Sequence, residues 1–392
     1  PPLRGIMNII TTTEALAALC KEAASEPFVT LDTEFLRERT YYAKLCLVQM
    51  ALPGTGPERA HIIDPLAEGL SLDPLLELMR NESVVKVFHA ARQDLEIFFV
   101  DGGVIPKPLF DTQIAAMVCG FGEQVGYETL VRKIVRAPLD KGSRFTDWSQ
   151  RPLSDAQLSY ALDDVTHLRQ IYEFLSEQIE TSGRSSWVAE EIETLMTPET
   201  YITQPEDAWR RIRTRGQSGK MLAIVRELAR FREEHAQSRN VPRSRVYKDD
   251  ALLELASTKP ASIEALGRSR LLLREARRGA VAEGILNAVR TALEMPASDW
   301  PHVAKDDQQL QVNPALADLL RVLLKAKADQ SGVAQRLIAP TSDLDAIAAG
   351  QRDVPCLKGW RNTLFGNDAL RLCAGEVALT ARGQQVTLID IV

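Results

Sequence analysis

The stretch Phe28-Val29-Thr30-Leu31-Asp32-Thr33-Glu34-Phe35 decides how the chain is read. Its opening residues read as a short buried strand. Two carboxylates, Asp32 and Glu34, then stand two positions apart. The two-residue period of a strand puts both on one face of a sheet. Charges of one sign that close repel, and the strand holds no cationic partner for them. A raised pKa or a bound cation relieves that repulsion. By itself an Asp-x-Glu is more often a polar strand end, so its meaning rests on residues further along.

Around this strand the pattern is that of alternating elements. Thr11 to Lys21 is amphipathic and predicts a helix. Tyr41–Leu52 alternates through Leu45, Leu47 and Val48 and predicts a second strand, and His61–Asp64 a third. Their short spacing predicts an antiparallel meander. Ser71–Arg80 predicts a helix with Pro74 near its start. Val84–Phe88 is an apolar strand apart from Lys86, and it runs into a helix from His89 through Phe99. A strand near Leu109-Phe110 and helices over Asp111–Cys119 and Tyr127–Val135 follow. Ser154–Ile179 is a long helix opened by Ser154-x-x-Gln157, a capping-box pattern. Three adjacent strands followed by alternating helices and strands imply a mixed α/β sheet with flanking helices. An RNase H-like layer fold is compatible with that order.

The chain has 392 residues, enough for two or three cores. No apolar run reaches membrane-spanning length. The opening Pro1-Pro2-Leu3-Arg4-Gly5 has no long apolar core, so a signal peptide is not expected. The five cysteines are scattered without a Cys-x-x-Cys, which points away from zinc and from a disulfide framework and towards a cytoplasmic setting. Net charge is −6, yet residues 206–294 carry 19 Lys and Arg against 12 Asp and Glu. That local excess of +7 leaves −13 for the remainder. Chance scatter of surface charge is the plain explanation. An acidic metal-binding unit joined to a basic module that holds a polyanion is the sharper one.

Helical patterning lapses around Thr197–Pro205 and again from Met295 to Pro314. The segments after each lapse are helical and match each other at an offset of 92: Ile224 meets Leu316, Leu228 meets Leu320, Val241 meets Val333 and Leu252 meets Leu344. Matches in one register, each copy preceded by a Pro-containing linker, favour a duplication over accidental matching of amphipathic helices. The expected units are 1–200, 206–294 and 310–392. A short apolar tail closes the chain at Val386–Val392.

Four acidic positions converge in this scheme. Asp32 and Glu34 lie at a strand end and Asp94 on the helix after the fourth strand. Asp164 lies on the long helix, with Tyr160 at i and Asp164 at i+4 on one helix face. Carboxylates without Cys select hard cations, Mg²⁺ or Mn²⁺. Such cations with substrate phosphate are the apparatus of two-metal phosphodiester cleavage.

Asp32-Thr33-Glu34, His89-x-x-x-x-Asp94 and Tyr160-x-x-x-Asp164 resemble the three motifs of the DEDDy 3′→5′ exonucleases. Phe110-Asp111-Thr112-Gln113 and Lys141-Gly142-Ser143-Arg144-Phe145-Thr146-Asp147-Trp148 resemble ribonuclease D in particular, and the helical copies resemble the HRDC domain. The resemblance covers nearly the whole chain. It implies an exonuclease domain followed by two all-α HRDC-like domains. It implies a metal-dependent 3′→5′ exoribonuclease that releases 5′-mononucleotides from RNA with a free 3′ end, tRNA precursors foremost, with no obligate protein partner. By the same resemblance Asp32, Glu34 and Asp164 bind one of two divalent cations, Asp32 bridges to the second, Asp94 supports that second ion, and Tyr160 orients the attacking water.

Other residues have competing readings. His89 lines the site or is merely hydrogen-bonded near the core. Asp163 points about 100° away from Asp164 and is set aside. Asp111 reads as a helix cap. Arg144 and Trp148 contact RNA or fix a loop, with neither reading ahead. Arg210, Arg211, Arg213 and Arg215 open the basic module, where phosphate contact is favoured modestly over a solvated charge run. The alternatives to an exoribonuclease are a DNA-directed 3′→5′ exonuclease and a non-catalytic RNA-binding scaffold. The intact carboxylates and Tyr160 argue against the latter.

Overall fold

The structure, a computed structural model, describes residues 8–139, 146–214, 217–301 and 311–391. The elements run β1 (Asn8–Ile10), α1 (Thr13–Ala23), β2 (Phe28–Leu36), β3 (Lys44–Ala51), β4 (Ala60–Ile63), α2 (Asp73–Arg80), β5 (Val85–Phe88), α3 (Arg92–Gly102) and β6 (Leu109–Asp111). Then come α4 (Thr112–Val118), α5 (Tyr127–Leu130) continuing into a π-helical turn, α6 (Asp155–Thr181) and α7 (Ser185–Met196). The six strands form one mixed sheet in the order β1-β4-β3-β2-β5-β6. β2, β3 and β4 are the expected antiparallel meander. β5 and β6 extend it in parallel beyond β2, and β1 pairs in parallel with β4 at the other edge.

Alternation along the strands explains the two layers. Val48, Met50 and Ile63 point into the larger core with Leu16, Leu75, Leu95 and Phe98 of α1, α2 and α3. Leu47 and Ile62 point the other way, onto Leu158 and Ala161 of α6. α6 starts where the sequence places it, because Ser154 and Gln157 close the capping box reciprocally.

The helical remainder holds two separate cores. The first comprises α8 (Gly219–Arg239), α9 (Arg243–Val246), α10 (Asp249–Thr258), α11 (Ile263–Gly267) and α12 (Gly279–Glu294). The second comprises α13 (Pro314–Ser331), α14 (Gln335–Ile338), α15 (Thr341–Ala348), α16 (Gly359–Arg361) and α17 (Asn367–Ala374), closed by a hairpin of β7 (Val377–Arg382) and β8 (Gln385–Asp390). The offset of 92 relates α9 to α14 and the left-handed helix cap Asn240 to its counterpart Gly332. α11 then has no counterpart, and the offset becomes 80, relating Gly279 to Gly359.

Both helical units dock on the exonuclease-like unit through that same corner. At the first, Asn240 Oδ1 accepts the Tyr41 and Tyr42 backbone N–H groups at 3.1 and 2.9 Å. At the second, the Ala334 N–H donates to the Met117 carbonyl at 3.1 Å. Arg184 there bridges the Val118 and Ser331 carbonyls, both at 2.6 Å, and Trp187 stacks on Trp360 with centroids 4.7 Å apart.

The first joint is the more polar. Glu233, with its side chain 1% exposed, accepts a forked pair from Arg243 at 2.5 and 2.6 Å and a hydrogen bond from the Tyr41 hydroxyl. Removing one partner of a buried pair strands the other. Arg243 remains partly solvated, which moderates the cost. Glu233→Gln is expected to destabilise the chain by about 1–3 kcal/mol, and its effect to be coupled to that of Tyr41→Phe by more than about 0.5 kcal/mol. A double-mutant cycle in urea checks this; strictly additive effects would show that the contact carries no joint energy.

Candidate active site

The site forms where β2 outruns its parallel neighbour. β2 pairs with β5 only through Thr30, so Asp32 and Glu34 keep β3 alone beside them. Thr30 lies on their face and donates its hydroxyl to the Val165 carbonyl of α6 at 2.7 Å. Asp164 precedes Val165, so this buried bond seats Asp164 against β2. On the opposite face, Thr33 donates its hydroxyl to Asp94 Oδ1. Asp94 on α3 is thereby fixed at the same strand end.

The register of β3 slips beside Glu34. Glu34 pairs with Leu47 and Phe35 with Leu45, leaving Cys46 bulged. Arg151 pins this bulge. Its guanidinium donates to the Cys46 carbonyl at 2.9 Å and the Trp148 carbonyl at 2.8 Å, and forks onto Asp64 at 2.8 and 2.7 Å. Burial would raise the Asp64 carboxyl, but the Arg151 fork and the Leu66 N–H together outweigh it and hold the carboxyl low.

Oxygens of Asp32, Glu34 and Asp164 come within 4.8 Å of one another. Burial, then the charges of Asp94, Asp164 and Glu34, push Asp32 well above the ordinary carboxylate range. Burial, then Asp164 and Asp94, push Glu34 up to about 8. Burial pushes Asp94 up to about 7. Gln49, directly across from Asp32, is fully buried, and neither of its amide atoms is hydrogen-bonded among the described residues. An all-carboxylate donor set suits a hard cation. The residues fit the ion that the sequence implies.

These shifts carry a stability consequence with a definite sign. A raised folded pKa contributes stability that is complete below the unfolded value and is lost as pH rises through the folded value. For Asp94 the loss runs from pH 3.8 to about 7, and for Glu34 from pH 4.5 to about 8. Protein treated with EDTA is therefore expected to lose thermal stability between pH 6 and 9. The rise in Tm on adding Mn²⁺ should be larger at pH 8.5 than at pH 6, because a cation relieves repulsion only where the carboxylates are ionised. Equal rises at both pH values in differential scanning fluorimetry would contradict the sign.

Tyr160 lies one turn before Asp164 on α6, with its ring 6.0 Å from that of Trp148. Trp148 itself is only 2% exposed and packs with Leu47, Ile62 and Leu158. Of the two readings of Trp148, this burial favours the one in which it fixes its loop, since its ring packs on the core and beside Tyr160. His89 stays half-buried, its Nδ1 2.9 Å from the Thr112 hydroxyl and its ring beside Tyr127, and burial lowers its pKa. Asp111 caps α4, accepting from the Gln113 and Ile114 N–H groups, and also accepts from Ala90 and Ala91 at the entry to α3. Arg210, Arg211 and Arg213 are exposed. Arg210 is paired with Asp207 at 2.8 Å. Arg144 and Arg215 lie outside the described residues.

Residues that sequence reasoning missed are Thr30, Thr33, Gln49, Arg151 and Tyr127. The Tyr127 hydroxyl donates to the Asp163 carbonyl at 2.7 Å. Burial, then Asp164 and Asp32, raise its pKa well above the usual range, so it stays neutral. Thr30 and Thr33 carried a signal, since hydroxyls in an otherwise apolar strand need buried acceptors.

Comparison with known proteins agrees with this geometry. Residues 7–180 match the model of a 3′-5′ exonuclease family, and residues 221–289 that of the HRDC domain. Ribonuclease D of Jannaschia sp. (strain CCS1) is 62% identical over 98% of this chain and 100% of its own length. Ribonuclease D of Acidiphilium cryptum (strain JF-5) is 48% identical over 98% of this chain and 97% of its own. Among solved structures, that of Escherichia coli RNase D superposes with a TM-score of 0.81 at 29% identity, over 94% of this chain and 99% of that one. With the carboxylates gathered at the end of β2 and this likeness along the whole chain, the protein belongs to the ribonuclease D family and is a 3′→5′ exoribonuclease.

Proposed function

We propose that Asp32, Glu34, Asp94 and Asp164 hold two divalent cations, Mg²⁺ or Mn²⁺, and that the enzyme removes 5′-mononucleotides one at a time from the 3′ ends of tRNA precursors and other small structured RNAs. The observation that carries this is the approach of the Asp32, Glu34 and Asp164 oxygens to within 4.8 Å. Bound cations of this kind stabilise the entering and leaving oxygens of an in-line displacement at phosphorus. The side chains do the rest. Asp32, pushed well above the ordinary carboxylate range by burial and by the three carboxylates around it, would be the residue shared between the two ions. Asp94, fixed by the Thr33 hydroxyl, supports the outer one. Tyr160, held against Trp148, orients the water that attacks.

The offset relation between the helical units supports a second HRDC-like copy over 310–392, after a first over 206–294 and an exonuclease domain over 1–200. The Jannaschia and Acidiphilium relatives are named ribonuclease D, and the Escherichia coli protein is described as an exoribonuclease involved in structured RNA processing. These names support the RNA substrate class. The five cysteines are all unbridged, in keeping with a cytoplasmic setting, and no described helix is long and apolar enough to cross a membrane.

The test uses matched RNA and DNA strands labelled at the 5′ end, with Mg²⁺, Mn²⁺ or EDTA. The RNA should shorten stepwise from its 3′ end, release 5′-mononucleotides and be inert in EDTA. A DNA ladder forming as fast as the RNA ladder, or an RNA ladder that persists in EDTA, would overturn the reading.

A further inference from the structure

A cleft of about 680 Å³ lies between the exonuclease unit and the first helical unit, on the far side of α3 from Asp94. Four guanidinium groups line it, Arg37, Arg92, Arg211 and Arg243, against one lining carboxylate, Glu96. Arg37 is committed to Glu96 at 2.7 Å, and Arg243 to Glu233 in the adjoining wall. Arg92 and Arg211 form no ion pair among the described residues; Arg211 donates only to the Thr203 hydroxyl, at 3.3 Å. One stands on α3 and the other on the helical unit, so two uncompensated positive charges face a single space from two sides. Tyr42 and Tyr201 supply aromatic surface in the same lining. Guanidinium pairs beside half-buried aromatic rings suit a phosphodiester with its base against them.

The cleft shares its walls with the site. Arg92 is two residues before Asp94, and Arg37 three residues after Glu34. The cleft is thus walled by the two segments, the end of β2 and α3, that also carry Asp32, Glu34 and Asp94.

We propose that this cleft is a nucleic-acid subsite, in which Arg92 and Arg211 clasp the backbone phosphates of the RNA strand upstream of its 3′ end. The proposal rests on the exoribonuclease reading. It identifies which of the basic module's arginines act: Arg211 holds phosphate, whereas Arg210 is already neutralised by Asp207. The Glu233–Arg243–Tyr41 contact forms the rigid wall that keeps the two clasping residues at a fixed separation. The same phosphate chemistry could come from a free 5′-mononucleotide, the product, and the test separates the two sources.

The full-length protein is titrated in EDTA with a 5′-fluorescein 12-nucleotide oligo(A), by anisotropy at several salt concentrations. The double variant R92Q/R211Q should bind about 10-fold more weakly, and its salt slope should fall by about 1.4, the value for two single-strand phosphate contacts. The charge-conserving pair R92K/R211K should restore the slope. With thermal midpoints showing all variants folded, an unchanged affinity and slope in R92Q/R211Q overturns the proposal, as does failure of the lysine pair to restore the slope. Displacement of the 12-mer by 5′-AMP at concentrations equal to those needed of unlabelled oligo(A) also overturns it, in favour of a mononucleotide site. Hydrolysis of the same strand by wild-type protein with Mg²⁺ is run in parallel. A wild type that cuts while the variants bind normally sinks the cleft alone; a wild type that does not cut sinks the exoribonuclease reading.

Discussion

Asp32→Asn is expected to lower the rate of RNA hydrolysis by roughly 10³-fold or more, since residues that act as one unit fail together when one is removed. Asp32 stands at the centre of the cluster, where Asp94, Asp164 and Glu34 all act upon it. No other carboxylate can take over its shared position. The substitution keeps the size of the side chain and removes a buried like charge, so the fold should survive. The EDTA-treated variant should melt higher than EDTA-treated wild type at pH 8.5, because the repulsion that destabilises the wild type there is reduced. Steady-state turnover with Mg²⁺ and Mn²⁺, beside melting curves of the same samples, provides the check. Turnover within 10-fold of wild type in a folded Asp32→Asn protein would show that these carboxylates are not the catalytic centre.

Tyr160→Phe is expected to lower kcat by about 10- to 100-fold while leaving KM for RNA within about twofold. Only a hydroxyl is removed, and the ring keeps its packing against Trp148 at 6.0 Å. A water-orienting group backed by a cation contributes at the low end of the range for general-base catalysis. A fall in kcat alone points to a group that acts in the transition state. A rise in KM at constant kcat would instead assign Tyr160 to RNA binding, and a wild-type rate would reduce it to a packing residue.

The parts of this architecture visible in the sequence are those with a local code. Ser154 and Gln157 announce the start of α6 because a capping box needs only four consecutive residues. Asp32 and Glu34 share a face because the strand period is two, and Tyr160 and Asp164 because the helix repeats near four. Asp111 reads as a cap for the same local reason. What stayed hidden depends on partners remote in the chain. β1 is three residues long and exists only through its pairing with β4, more than 50 residues away. Lys86 looks out of place in an apolar strand, yet it is fully buried with its ammonium on the carbonyls of Asn81 and Lys107.

The site shows the same division. The identities of its carboxylates are legible in the sequence, but the bonds that bring them together are not. Thr30 to Val165 spans 135 residues and Thr33 to Asp94 spans 61. Arg151 meets Cys46 across 105 residues, at a bulge that no alternation pattern announces. Trp148 is ambiguous in the sequence because its chain neighbours are polar, whereas its neighbours in space are Leu47, Ile62 and Leu158. Of the apolar tail, Val386–Asp390 form most of β8, paired with β7, a pairing that the tail's own sequence does not announce.

The central claim is that the carboxylates at the end of β2 hold the cations on which hydrolysis depends. Anomalous diffraction from crystals soaked in Mn²⁺ and 5′-AMP tests it most directly. Two peaks about 3.5–4 Å apart are expected, one among Asp32, Glu34 and Asp164 and one between Asp32 and Asp94, and neither in Asp32→Asn crystals. Strong manganese peaks elsewhere with none at these four residues would contradict it.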